Sequence, residues 1–227
     1  MRLLDLIWTQ DVRLKELAEE VSVGQKQVVA QRGERPFYAY FPLDCVFSVL
    51  VDSAEGVSTE VAAIGNEGMV GLEAVLGGVM QAGVVCQVPG KTIRLRASVL
   101  STVWQENLEV RQTIDRYAVA LVGQFMQSAA CNRLHSVEQR AARWLLATHD
   151  RKESPVFSLT HEFLAAMLGA NRTTISLTLR EMERGGLIRR KRNPIEIVDL
   201  DGLKETSCEC YSIIRRYHED ALLKRSA

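Results

Sequence analysis

The residues with the most legible chemistry lie between Leu159 and Ile188, in the stretch LTHEFLAAMLGANRTTISLTLREMERGGLI, and in the basic run just after it. Arg172, Thr173, Leu177 and Arg180 fall on one side of a helical period, and Arg189, Arg190, Lys191 and Arg192 stand together a few residues on. Guanidinium forks bind phosphate oxygens and, when bidentate, guanine edges, while a threonine methyl and a leucine pack on thymine methyls. Gathered on one face, these side chains predict contact with duplex DNA. Residues 159–192 hold seven Lys/Arg against three acids, whereas the whole chain balances 28 basic against 28 acidic residues. A chain without net charge has no global attraction for phosphate, so binding must come from this local patch. Residues 1–134 carry 12 basic and 15 acidic groups, which makes the front acidic and the back basic.

Two short helices must hold that face. Thr160 is placed to cap the first, whose Leu164, Met167 and Leu168 share one side, and Gly169 supplies a tight turn. Asn171 is placed to cap the second, in which Ile175, Leu179 and Met182 recur at the spacing that buries one stripe. Thr174 and Ser176 flank the open side and join the expected DNA-contacting set. Gly185 and Gly186 end the helix, and Leu187 to Val198 reads as two short strands around the basic run. The unit is a helix-turn-helix with a basic hairpin, that is, a winged helix. An αα-hairpin with a solvated basic face is the alternative.

At 227 residues, 47% hydrophobic and 25% charged, the chain is long enough for two modest domains. No apolar stretch approaches the roughly 20 residues needed to cross a bilayer. Acids appear by Asp5 and Asp11 with no cleavable leader pattern, so no membrane partner is expected and the location reads as cytoplasmic. Five cysteines, Cys45, Cys86, Cys131, Cys208 and Cys210, form an odd, scattered set that suits reduced thiols.

Residues 2–20 read as a short amphipathic helix. From Val28 to Leu95, β-favouring runs (Val46 to Val51, Ser58 to Ile64, Val84 to Val88, Thr92 to Leu95) alternate with glycines, as in an antiparallel roll. From about Leu108 to Leu134 a helix carries Ile114, Ala118, Leu121, Phe125, Ser128 and Asn132 in steps of four and three. Such a narrow seam calls for a partner, an identical helix in a homodimer being the simplest, although it could instead pack on its own roll. Ser136 to Gln139 matches a capping box, which starts a new helix and puts a hinge at His135 and Ser136. The fold class is α+β: an N-terminal jelly-roll-like antiparallel β-roll (1–106), a long dimerisation helix (107–135) and a C-terminal winged helix-turn-helix (136–227).

That order of parts, and above all the stretch from Leu159 to Ile188, resembles the Crp/Fnr family of bacterial transcription regulators. Phe41-Pro42, Glu60-Val61, Ile64-Gly65-Asn66-Glu67-Gly68 and Gly71 are similar to a branch whose roll carries FP, EV and G-x-E-G elements. The resemblance implies a homodimer on an inverted repeat of double-stranded DNA, with Arg172 near the first recognition position and RNA polymerase a candidate further partner. It also marks Gly71, Leu72, Ala82 and Gly83 as the effector pocket. There the family's nucleotide-binding members carry Gly-Glu and Arg-Ser pairs, and this chain has lost the Glu, the Arg and the Ser. A cyclic phosphate without its Arg loses a bidentate, charge-assisted contact, so no cyclic nucleotide is expected and the effector, if any, is unknown.

No cofactor, metal or catalytic group is assigned. Residues 1–130 offer only Cys45 and Cys86, too few thiolates for an iron–sulfur cluster, and all four histidines lie at 135, 149, 161 and 218, outside the roll. That also excludes a His-rich enzymatic roll. Cys208-Glu209-Cys210 with His218 could hold a metal, but helical residues two apart do not face one another. A protein-interaction module, in which the roll takes a protein partner or an apolar effector, is the alternative function.

Overall fold

The computed structural model describes residues 2–54, 56, 58–152, 154–190 and 194–223. The expected N-terminal helix is two pieces, α1 (Leu3–Gln10) and α2 (Arg13–Glu16), and the chain is extended again at Glu19. Asp11 breaks it, because its carboxylate accepts from the Arg13 N–H at 3.1 Å and from the Arg13 guanidinium at 2.6 Å. Such local side-chain bonds compete with the helical ladder.

Seven strands follow: β1 (Glu19–Val23), β2 (Val28–Ala30), β3 (Tyr38–Pro42), β4 (Val46–Asp52), β5 (Ser58–Ile64), β6 (Gly83–Val88) and β7 (Gly90–Arg96). They form two antiparallel sheets, ordered β1-β7-β3 and β2-β6-β4-β5. The inward side chains of Phe41, Phe47, Met69 and Leu95 are fully buried together with Leu3, Ile7 and Leu14, so α1 and α2 close one end of the roll. Each such burial stabilises by about 1.5–3 kcal/mol.

Beyond the short α3 (Glu73–Leu76) and α4 (Ala97–Glu106) runs the long helix α5 (Leu108–Leu134), with the bounds its periodicity predicted. Asn107 caps it by accepting from the N–H groups of Glu109 and Val110. Val110, Ile114, Tyr117 and Leu121 belong to the same core as the roll. Tyr117 Oη donates to the Met69 carbonyl at 2.9 Å, and a Cβ added to Gly68 would lie 2.6 Å from the Tyr117 ring. Gly68 therefore serves close approach of α5 to the roll.

Next, α6 (Val137–Lys152) starts on the expected capping box, with Gln139 N–H donating to Ser136 Oγ and Ser136 N–H to Gln139 Oε1. β8 (Val156–Phe157), α7 (His161–Leu168), α8 (Arg172–Arg184), β9 (Ile188–Arg190), β10 (Ile195–Ile197) and α9 (Leu200–Thr206) complete a winged helix whose sheet runs β8-β10-β9. Trp144, Leu145, Leu164, Ile175, Leu179, Ile188 and Leu203 fill its own core. The last helix, α10 (Cys210–Leu222), leaves that unit and runs back antiparallel along α5: Cys210 meets Gln127, His218 meets Gln124, and the Ala221 carbonyl accepts from Arg116. Leu222 ends in the roll core, so packing groups α10 with residues 2–134 rather than with the winged helix.

The dimer seam needs correction. Ile114, Leu121 and Ser128 are buried within their own chain, Ala118 and Phe125 are half-buried, and exposed Asn132 accepts from Arg140 Nη1 at 3.2 Å. A neighbouring stripe, one residue on, faces outward: Val119 is 73% exposed, Val122 54% and Met126 66%, followed by exposed Ala129. Both stripes have the four-three period; the roll and α10 claim the first.

Candidate nucleic-acid interface

The two helices of the winged helix are held by the bonds their sequence implies. Thr160 Oγ1 accepts from Phe163 N–H at 3.1 Å, and Gly169, at φ +56°, closes α7 in the left-handed conformation that glycine adopts without cost. Asn171 Oδ1 accepts from Thr174 N–H at 2.7 Å and from the Thr174 hydroxyl at 2.9 Å. Ile175, Leu179 and Met182 turn inward. Arg172, Thr173, Leu177 and Arg180 are exposed together on the opposite side, with Leu177 at 52%.

The expected contacts divide once their intramolecular partners are counted. Arg172 Nε lies 2.9 Å from Glu162 Oε1, an exposed pair that phosphate or guanine can displace at little cost. Arg189 is similarly paired with Glu196 at 3.1 Å. Thr160, Thr174 and Ser176 spend their hydroxyls inside the fold, Ser176 Oγ being 2.8 Å from His161 Nδ1 across the α7–α8 junction. Arg190 changes role: it is half-buried, with both Nε and Nη2 donating to Glu183 Oε2 at 2.9 and 2.6 Å and its backbone N–H donating to Glu183 Oε1. That fork pins β9 to α8 and is a poor phosphate clamp. Lys191 and Arg192 lie outside the described residues.

Of the expected effector residues, Gly71 sits at φ +87° with its Cα side against the Tyr38 carbonyl, and Gly83 begins β6. Leu72 and Ala82 pack with the roll core beside Val75, Met80 and Val84. A cavity of about 310 Å³ lies elsewhere, between β5, α5, α6 and α10, lined by Glu60, Glu67, Gln124, Arg143, Arg151 and His218 among others.

That cavity explains the roll elements singled out from the sequence. A Cβ on Gly65 would lie 2.5 Å from Arg151 Cγ, so the glycine admits the arginine, which donates to Glu67 Oε1 at 2.8 Å and to the Ala63 carbonyl at 3.1 Å. Burial opposes the charge on Glu67, yet the Arg151 guanidinium outweighs it and holds the carboxyl below its usual range. Glu60 accepts from Ser48 Oγ at 2.6 Å, and burial pushes it up to about 7. His218 donates from Nε2 to Gln124 Oε1 at 2.7 Å, and burial pulls its pKa below the ordinary value. Of these buried polar links, those of Arg151 join α6 to the roll, that of Glu60 lies within the roll, and that of His218 ties α10 to α5.

One cluster escaped the sequence reading. Cys131, His135, Cys208 and Cys210 bring three sulfurs and a ring nitrogen within 4.8 Å of one another. His218 is not among them. The signal available was Cys131-x-x-x-His135, two ligand types one helical turn apart on one face, which matters only when the C-x-C folds back beside it.

The family model of the Crp-like helix-turn-helix domain matches residues 139–206. Over that stretch the chain is similar to Crp-like helix-turn-helix domains. A 57-residue stretch is 39% identical to the transcriptional regulator SdrP of Thermus thermophilus, covering 25% of this chain and 28% of that protein. Among solved structures, FixK2 from Bradyrhizobium japonicum superposes with a TM-score of 0.72 at 15% identity, over 84% of this chain and 98% of that one. A CRP-family transcriptional regulator from Thermus thermophilus gives 0.67 at 19% identity, over 83% and 96%. The chain as a whole thus shares the fold of these two structures. Among the described residues no helix is long and apolar enough to cross a membrane.

Proposed function

We propose that the protein is a sequence-specific transcription regulator that binds an inverted repeat in double-stranded DNA as a homodimer, without cyclic nucleotide. The observation that carries this is the face of α8, where Arg172, Thr173, Leu177 and Arg180 are exposed together on a helix capped and buried as a recognition helix requires. Arg172 reads a base edge or a phosphate near the helix start, Thr173 and Leu177 pack on thymine methyls, and Arg180 and Arg189 neutralise phosphates. The second copy docks through Val119, Val122 and Met126, an apolar ridge on a helix whose other side is already buried. Loss of the Glu, Arg and Ser at the nucleotide positions, with Leu72 and Ala82 committed to the core, supports independence from cyclic nucleotide.

Selection from random duplex DNA by the full-length protein without added effector, at low and at physiological salt, tests the proposal. The expected product is an inverted repeat with half-site centres roughly 10 bp apart, each half-site richer in A·T contacts than in invariant guanines. Enrichment of no sequence refutes it, and enrichment of a single unrepeated site refutes the homodimer.

A further inference from the structure

The winged helix is inserted between two points of one helical pair. The chain leaves the end of α5 at His135 and returns at Cys208 to begin α10, which lies along α5. Cys131 and His135 occupy successive turns on one side of α5's end. Cys208 precedes α10 and Cys210 opens it, so the irregular step between them lets both sulfurs face the same point. The four ligand atoms therefore straddle both ends of the inserted domain.

Their spacing fits one ion. Cys131 Sγ stands 3.5 Å from Cys208 Sγ, and Cys210 Sγ stands 3.5 Å from His135 Nδ1. Bonds of about 2.3 Å to sulfur and about 2.0–2.1 Å to nitrogen in a tetrahedron put sulfurs about 3.8 Å apart and sulfur and nitrogen about 3.6 Å apart. An iron–sulfur cluster spreads its thiolates over separate irons, which demands wider separations than these. The surroundings are those of a ligand set. His135 turns its other nitrogen, Nε2, to Glu209 Oε1 at 3.2 Å, the carboxylate–histidine arrangement that orients a metal-binding imidazole. Gln127 Nε2 donates to Cys210 Sγ at 3.1 Å, and Arg140 and Arg143 on α6 act electrostatically on Cys131. Three thiolates around a divalent ion leave one negative charge, which those guanidinium groups offset. Cys131, Cys208 and Cys210 also form a small buried cluster of their own, separate from the cores of the roll and of the winged helix.

We propose that Cys131, His135, Cys208 and Cys210 bind a single zinc-class divalent ion, which clasps the base of the winged helix to the end of α5. Binding replaces up to three thiol protons, released to solvent, with three metal–sulfur bonds and one metal–nitrogen bond. The ion closes the loop formed by the whole inserted domain and so restricts its swing about the His135–Ser136 hinge.

The test is a Co²⁺ titration of the reduced, chelator-stripped full-length protein, followed by Zn²⁺ competition. Uptake of one Co²⁺ per chain with intense tetrahedral visible bands and sulfur-to-cobalt charge transfer, bleached by equimolar Zn²⁺, is the expected result. No uptake, or only the weak bands of octahedral cobalt, overturns the proposal. Cys208→Ser with Cys210→Ser abolishes the bands, and His135→Ala keeps charge transfer while shifting the visible bands. Should those variants fail to fold, Glu209→Gln on the surface lowers Co²⁺ affinity about 10- to 100-fold. Unchanged affinity in that variant places the ion elsewhere and overturns the assignment.

Discussion

Replacing Glu60 with Gln changes how stability depends on pH, and the structure fixes both direction and size. The carboxyl is buried on β5 at the cavity between the roll and α6, with Ser48 as a donor, and burial raises its pKa from 4.5 to about 7. A group whose folded pKa lies above its unfolded one contributes stability that is fully present below about pH 4.5 and is lost as pH rises through about 7. At about 1.4 kcal/mol per unit, the wild type forfeits about 3 kcal/mol across that window. The amide does not titrate, so the variant keeps what the wild type loses. His218 works in the opposite sense: its folded pKa is depressed by burial, and its contribution fades as pH falls through its ordinary range. Comparing wild type and Glu60→Gln at each pH cancels His218, and any packing penalty enters only as a constant offset. Urea unfolding from about pH 4 to about pH 8 should show the stability difference moving by about 3 kcal/mol in favour of the variant. A difference flat across the range refutes the reasoning, because Glu60 would then titrate alike in the folded and unfolded states.

Glu67→Gln leaves the Arg151 guanidinium buried without its countercharge and should cost about 3–5 kcal/mol in denaturant unfolding. Val122→Asp should convert the proposed dimer to a folded monomer in sedimentation, whereas Leu121→Ala, one residue away but inside the roll core, should cost about 2–5 kcal/mol of stability. Arg172→Ala should lose about 1–3 kcal/mol of discrimination between preferred and altered half-sites if it reads a guanine, measured by competition binding. Arg189→Ala should weaken all sequences alike and lower the log–log salt slope by about 0.9.

The sequence by itself determined the elements whose causes are local. The bounds of α5, the capping box at Ser136 and Gln139, and the caps Thr160 and Asn171 each arise from residues within a turn or two of one another. Only the tertiary structure decided which side of α5 faces out. Two stripes with the same period, Ile114/Leu121/Ser128 and Val119/Val122/Met126, lie side by side on it, and the roll and α10 bury the first. The same holds for Arg190, indistinguishable from Arg189 in a basic run until β9 sets Arg189 opposite Glu196 on β10 and brings Arg190 to Glu183 on α8. The thiol cluster is the plainest case, for Cys131 and Cys208 are 77 residues apart and meet only because α10 folds back along α5. Periodicity and capping are short-range properties that a sequence displays directly; the partner of a face, a charge or a sulfur is set by chain return, which no local pattern encodes.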